Sequence, residues 1–353
     1  MSEDFAPVKK REHYIDIAKG IAMVLVIIGH CEFAPSQLKW WLYSFHMPLF
    51  FLLSGLVFNP VKYKKFTQFL KAKAQSLLVP YFLMSLFLWV WKDIIGHKTT
   101  FLTDEDTLND FIGIFLGHRG TPYYFSMWFL TAIFAAEVIL YFISRISGDR
   151  LWALCLTVVL FSLLSWFILE NIDDGFYWSL DLTPIAVSFI ALGYIVKLYK
   201  DKIRLLFNPA FFVLAAALNV TFAYLNHRVC GRADLYYTKM GNYFYYMLAA
   251  VAGSWAVIIF CKFIKKMPVL EYIGRNSIVY YAFQNAVFIG GAEKIVQELS
   301  SLGGIFDNRI FMLILAVTLS CIGLAVWSEA ITKCFPILLG KPKHTLKNRK
   351  QKL

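Results

Sequence analysis

Charged residues are scarce in this chain. Asp, Glu, Lys and Arg make up 16% of 353 residues, while 59% are hydrophobic. A soluble globular domain usually carries about a quarter charged residues, so this composition excludes an ordinary one. No polar interval is long enough for a separate soluble domain, and there is no internal repeat or low-complexity linker. Cysteine is sparse too: six are present (Cys31, Cys155, Cys230, Cys261, Cys321 and Cys334), none in C-x-x-C spacing, which gives no thiolate metal site. Most lie in apolar runs and read as small core residues. Cys31 and Cys230 fall on the same expected side of the membrane, which permits a disulfide without supporting one. No nucleic-acid-binding motif accompanies the formal charge of +12, so nucleic acid is excluded as a partner. No small-residue cleavage site follows Lys9, Lys10 and Arg11, and Asp16 and Lys19 interrupt the run behind them. The N-terminus therefore reads as a retained first helix.

What the chain has in abundance is long apolar runs, the mark of an all-α polytopic membrane protein. Ten spans are expected: Ile15–Phe33, Trp40–Phe58, Leu77–Ile95, Tyr124–Ile143, Leu151–Leu169, Trp178–Tyr199, Phe207–Leu225, Tyr243–Phe263, Ile278–Ile295 and Ile310–Phe335. Lys and Arg gather in alternate connections, at 9–11, 62–73, 145–150, 200–204, 262–275 and 341–352, while Asp104, Glu105, Asp106, Asp173 and Asp174 lie in the opposite set. The positive-inside bias then puts both termini in the cytoplasm, which requires an even number of spans. The long outer connection from Gly96 to Tyr123 reads as polar loop. Residues 1–340 form one transmembrane domain and 341–353 a basic cytoplasmic tail. Membrane lipids are the surrounding partner.

Ionisable groups inside the first span carry the chemistry. Lys19 and His30 are eleven residues apart, and eleven helical steps of about 100° come within about 20° of three full turns. The two project from one face, separated by about 16 Å of rise. Such groups cost about 3 kcal/mol each at mid-bilayer and usually face a polar interior. Asp16 and Lys19 also fit an i,i+3 interfacial pair with the lysine snorkelling to water. The second span reads Ser44-Phe-His46-Met-Pro48-Leu-Phe-Phe-Leu-Leu-Ser54-Gly55. Pro48 removes a donor and clashes with the carbonyl of Ser44, so a kink is expected beside His46. A short connection makes His30 and His46 near neighbours. They suit a general base acting on an alcohol, or two hydrogen-bonded structural histidines. Spacing supplies no third ligand for a metal. Lys19 suits an anionic group arriving from the cytoplasm.

The stretch Tyr14-IDIAKGIAMVLVIIGH-Cys31 followed by SFHMPLFFLLSG closely resembles the acyltransferase-3 family of integral membrane acyltransferases. Weaker echoes follow in family order: Leu78-Val-Pro80-Tyr81, Met127-Trp128-Phe129-Leu130, Ala191-Leu-Gly193-Tyr194 and Tyr272-Ile-Gly274-Arg-Asn-Ser277. The resemblance implies ten core helices and transfer of an acyl group, usually acetyl from acetyl-coenzyme A (acetyl-CoA), to a sugar hydroxyl of a cell-envelope polysaccharide or its lipid-linked precursor. It implies a bacterial inner-membrane setting, and a donor used as substrate rather than a permanently bound cofactor. By position His30 matches the family's essential histidine, Lys19 its basic partner, Asp16 the acidic residue before it and His46 the second-span histidine. Many members place two arginines three apart before L-x-P-Y as a coenzyme contact; this chain has Lys73 and Ser76, preceded by Lys71. Lysine keeps the charge but loses the bidentate phosphate grip. A ninth-span histidine common in relatives is replaced by Gln284, which cannot act as an acid or base.

Ser54 completes the expected binding set. Trp128 suits either a sugar-stacking platform or the interfacial belt. Arg228, Arg232 and Asp234 suit an acidic glycan or a solvated loop. Glu329 is expected to be buried in the last span and to pair with a basic residue. A transporter or flippase for a glycan or small anion, with the histidines as a proton relay, is the competing class, and a non-catalytic relative in polysaccharide export a third. No inverted repeat of interrupted helices favours the transporter.

Overall fold

The computed structural model describes residues 12–92, 105–117, 120, 127–172, 175–301 and 303–340. The basic tail at 341–353, the start of the expected fourth span at Tyr124 and the end of the third at Ile95 lie outside them. The helices are α1 His13–His30, α2 Ser36–Tyr43, α3 His46–Val57, α4 Phe66–Lys73, α5 Val79–Trp89, α6 Glu105–Leu116, α7 Trp128–Ser147 and α8 Leu151–Asn171. They continue with α9 Thr183–Leu198, α10 Pro209–Cys230, α11 Tyr243–Phe263, α12 Pro268–Arg275, α13 Ser277–Phe283, α14 Ile289–Ser300 and α15 Arg309–Cys334. No strand occurs among the described residues. The protein is all-α and polytopic.

Among the described residues, nine helical segments are long and apolar enough to cross a membrane. The expected span at 278–295 lies in a helical path from Ser277 to Ser300, where Gln284, Asn285, Glu293 and Lys294 dilute the apolar character. The expected polar connection after Gly96 contains α6, which the sequence reading missed. The carbonyls of Thr107 and Ile114 on α6 accept bonds from Trp89 Nε1 and the Tyr81 hydroxyl. Leu108, Ile112 and Phe115 remain exposed. Glu329 is also a correction: its side chain is 49% exposed and pairs with Lys333 one turn on, at 3.2 Å. All six cysteines are free thiols.

Burial divides the bundle. The segment containing α9 is 78% buried, whereas α8 and α10 are each 22% buried; their outward Leu, Val and Phe side chains suit lipid. α1 lies at the centre, packed on α3, α11 and α12. Without a hydrophobic force between helices in lipid, close approach depends on small residues. Gly20 and Gly274 let α1 and α12 touch backbone to backbone: a Cβ on Gly20 would strike the carbonyl of Leu270, and one on Gly274 that of Asp16. Gly55 and Gly193 do the same where α3 crosses α9.

Three irregularities lie along this core. The helix breaks between α2 and α3 at Phe45, whose φ is −147°, as the missing donor of Pro48 predicts. A π-helical turn at Ala74–Leu78 precedes Pro80, which cannot donate to Ser76. A second π turn, Gln284–Phe288, separates α13 from α14. Such turns recur at functional sites.

Candidate active site

α1 contributes to two separate cavities, one near each end. The first, the histidine cavity, has a volume of about 210 Å³ and is lined by His30, Tyr43, His46, Trp128, Arg232 and Gln284 among others. The helix break sets His46 at the start of α3, where its Nδ1 donates to the carbonyl of Leu42 at 2.7 Å. A carbonyl only accepts, so the proton of the neutral ring sits on Nδ1 and Nε2 is left as the basic atom. Tyr43 stands edge-on to both histidines, with ring centroids 6.3 Å from His30 and 4.8 Å from His46. Gly29 permits this, because a Cβ there would sit 3.0 Å from the Tyr43 ring.

The connection from Gly231 to Asn242 closes one side of this cavity. Asp234 and Lys239 exchange backbone hydrogen bonds at 2.7 and 3.0 Å, and the Asn226 side chain ties down Met240 and Asn242. Arg232 lies 4.5 Å from the Tyr43 ring centroid and 3.3 Å from Asp234 Oδ2. Burial pushes the Asp234 carboxyl above its ordinary range, opposed by Arg232 and by the backbone N–H groups of Tyr236 and Tyr237. Trp128, at the start of α7, is 5% exposed and packs 6.2 Å from Tyr236. It belongs to the cavity wall.

The second, the lysine cavity, is about 790 Å³ and is lined by Asp16, Lys19, Lys197, Lys200 and Lys262, with Glu12, Tyr14 and Asn59. Lys262 rests over the rings of Phe207 and Tyr14, at 3.2 and 5.3 Å from their centroids. Lys197 donates to the carbonyl of Phe58. Four amines against two carboxylates make this wall cationic, a suitable setting for phosphate.

Lys73 and Ser54 meet neither set. Lys73 Nζ lies 2.7 Å from Glu137 Oε2, and the Ser54 hydroxyl donates to Glu137 Oε1 at 3.1 Å. The ammonium also lies 5.8 Å from the ring centroids of Phe58 and Phe69. Glu137 is 1% exposed on the membrane helix α7. Lys71 is exposed, outside both cavities, and Ser76 bonds back to the carbonyl of Lys73.

The structure thus brings His30, His46 and Trp128 together, and separately Asp16 and Lys19. Sequence reasoning missed Tyr43, Glu137, Lys197 and Lys262. Glu137 had left a signal, as the one acidic residue in the apolar run 127–144; the others become visible only through packing.

Comparison with known proteins identifies the family. A protein-family model described as the acyltransferase domain matches residues 12–329. The nodulation protein NolL of Mesorhizobium japonicum is 27% identical over 167 residues, covering 44% of this chain and 42% of NolL; the match therefore spans less than half of that relative. No solved structure matches the chain. With the match running from the start of α1 into α15, the chain belongs to the acyltransferase-3 family of integral membrane acyltransferases.

Proposed function

We propose that this membrane acyltransferase is an O-acetyltransferase, moving acetyl from acetyl-CoA to a sugar hydroxyl of a cell-envelope polysaccharide or its lipid-linked precursor, in a bacterial inner membrane. The observation that carries the reading is α1 itself, which runs from a lysine-lined cavity to a histidine-lined one. The positive-inside pattern supports cytoplasmic termini, so the lysine cavity faces the donor supply and the histidine cavity the outer half of the membrane.

In this reading the coenzyme's phosphates are held by Lys19, Lys197, Lys200 and Lys262, with Asp16 fixing Lys19. The thioester reaches along α1 over about 16 Å. His30 takes the proton of the sugar hydroxyl as its oxygen bonds to the thioester carbonyl carbon. The carbon–sulfur bond breaks, and the sulfur leaves as the free thiol once it regains a proton. His46 and Tyr43 orient His30 and the acceptor. Lys73 already neutralises Glu137, which directs it to holding α4 against α7 more than to the donor.

The test is reconstituted protein given acetyl-labelled acetyl-CoA and envelope glycan. Label moving into glycan with matching release of free coenzyme is the expected result. Movement of an unmodified glycan across the bilayer without label transfer would replace this reading with a carrier.

A further inference from the structure

The histidine cavity holds more than the proton-transfer groups require. Its volume of about 210 Å³ suits one sugar ring rather than an oligosaccharide. Aromatic rings of Tyr43, Trp128, Tyr236 and Tyr281 line it, the amphipathic surface on which sugar faces rest. Gln284, 3% exposed, contributes a buried Oε1 that has no hydrogen-bond partner among the described residues. An unsatisfied buried acceptor calls for a donor, and a ligand hydroxyl supplies one.

Charge adds the distinguishing feature. Lys39 and Arg232 line the cavity against Asp234. Arg232 is paired with Asp234 at 3.3 Å, while Lys39 has no ion-pair partner among the described residues. The wall therefore carries an ammonium that a neutral sugar would leave without a counter-charge. Lys39 lies on α2, between the short connection after α1 and the break before His46, and lines the same cavity as His30.

Resting on the acyltransferase reading of this cavity, we infer that the acceptor is a single sugar unit bearing an anionic group, held by Lys39 with Arg232 beside it. The anion is a carboxylate, as in a uronic acid, or a phosphate ester on the sugar. Trp128 and Tyr236 take the ring face, and Gln284 accepts from a hydroxyl that is not the one acylated.

The test is saturation-transfer NMR of the full-length protein in nanodiscs without acetyl-CoA, using methyl glucuronide, methyl glucoside and glucose 6-phosphate. The charged sugars should bind about tenfold or more tightly than the glucoside at low salt, and the preference should shrink with added salt. Whichever charged sugar binds better identifies the anion. Lys39→Gln should bring the preference close to unity, and Lys39→Arg should restore it. Equal binding of glucoside and charged sugars, or binding of none, overturns the inference. So does a Lys39→Gln variant that weakens binding of the glucoside and the charged sugars alike, because Lys39 would then be supporting the cavity wall rather than selecting the anion. Binding is read without turnover. Selective binding with no acetyl transfer to any acceptor would therefore leave this site standing and remove the acetyltransferase reading alone.

Discussion

The two cavities on α1 are built in opposite ways. The histidine cavity, about 210 Å³, is walled by aromatic rings and by side chains fixed through hydrogen bonds, such as His46 on the Leu42 carbonyl. The lysine cavity, about 790 Å³, is walled by the amines of Lys19 on α1, Lys197 and Lys200 at the end of α9 and just beyond it, and Lys262 on α11. A cramped, pre-oriented wall discriminates between acceptors and positions a proton transfer. A roomy cationic one captures an anion by charge without demanding one geometry. On the proposed function, one helix carries selection at one end and capture at the other, and the side chains at each end should fail differently when changed.

The largest difference should come from His30. His30→Ala should lower the rate of transfer by about 10²–10⁴-fold, the usual contribution of a positioned base, with membrane insertion and acetyl-CoA binding retained; radiolabel transfer and a donor-binding assay check both. Next comes the buried pair that belongs to neither cavity. Glu137→Gln should leave Lys73 uncompensated and cost about 3–5 kcal/mol of stability, read as a lowered midpoint of thermal unfolding in detergent, and Glu137→Gln with Lys73→Met should recover much of it. Lys19→Met should raise the KM for acetyl-CoA by about 10–100-fold, the worth of one charged hydrogen bond, leaving the acceptor KM in place. Tyr43→Phe should be the mildest, within about fivefold in kcat, because the ring and not the hydroxyl meets the two histidines. A large loss there would give the hydroxyl a role in proton transfer.

Much of this comparison was legible in the residues. The apolar runs marked the membrane helices, the eleven-residue interval put Lys19 and His30 on one face, and Pro48 foretold the break that seats His46. The glycines of the later motifs were visible as letters, but their purpose was not: Gly274 and Gly193 mark where helices touch backbone to backbone, a property of the partner surface. Lys73 was expected as a donor contact because it stands where relatives place an arginine before L-x-P-Y. Its pairing with Glu137 joins residues 64 positions apart, which periodicity along one helix cannot reveal. α6 escaped notice because Glu105, Asp106 and Asp110 outweighed Leu108, Ile112 and Ile114 in a reading by polarity. The closing of the histidine cavity by the connection from 231 to 242 depends on backbone bonds between Asp234 and Lys239, for which the sequence has no periodic signal.

If donor and acceptor meet from opposite ends of α1, the two substrates reach the protein from opposite faces of the membrane. Sealed inside-out membrane vesicles carrying the protein, loaded with acceptor glycan, can be given labelled acetyl-CoA from outside, on the face that was cytoplasmic. Label should appear on the enclosed glycan, be lost in His30→Ala vesicles and be reduced at low acetyl-CoA in Lys19→Met vesicles. Label appearing only when acetyl-CoA and acceptor share the same side would contradict a meeting from opposite faces.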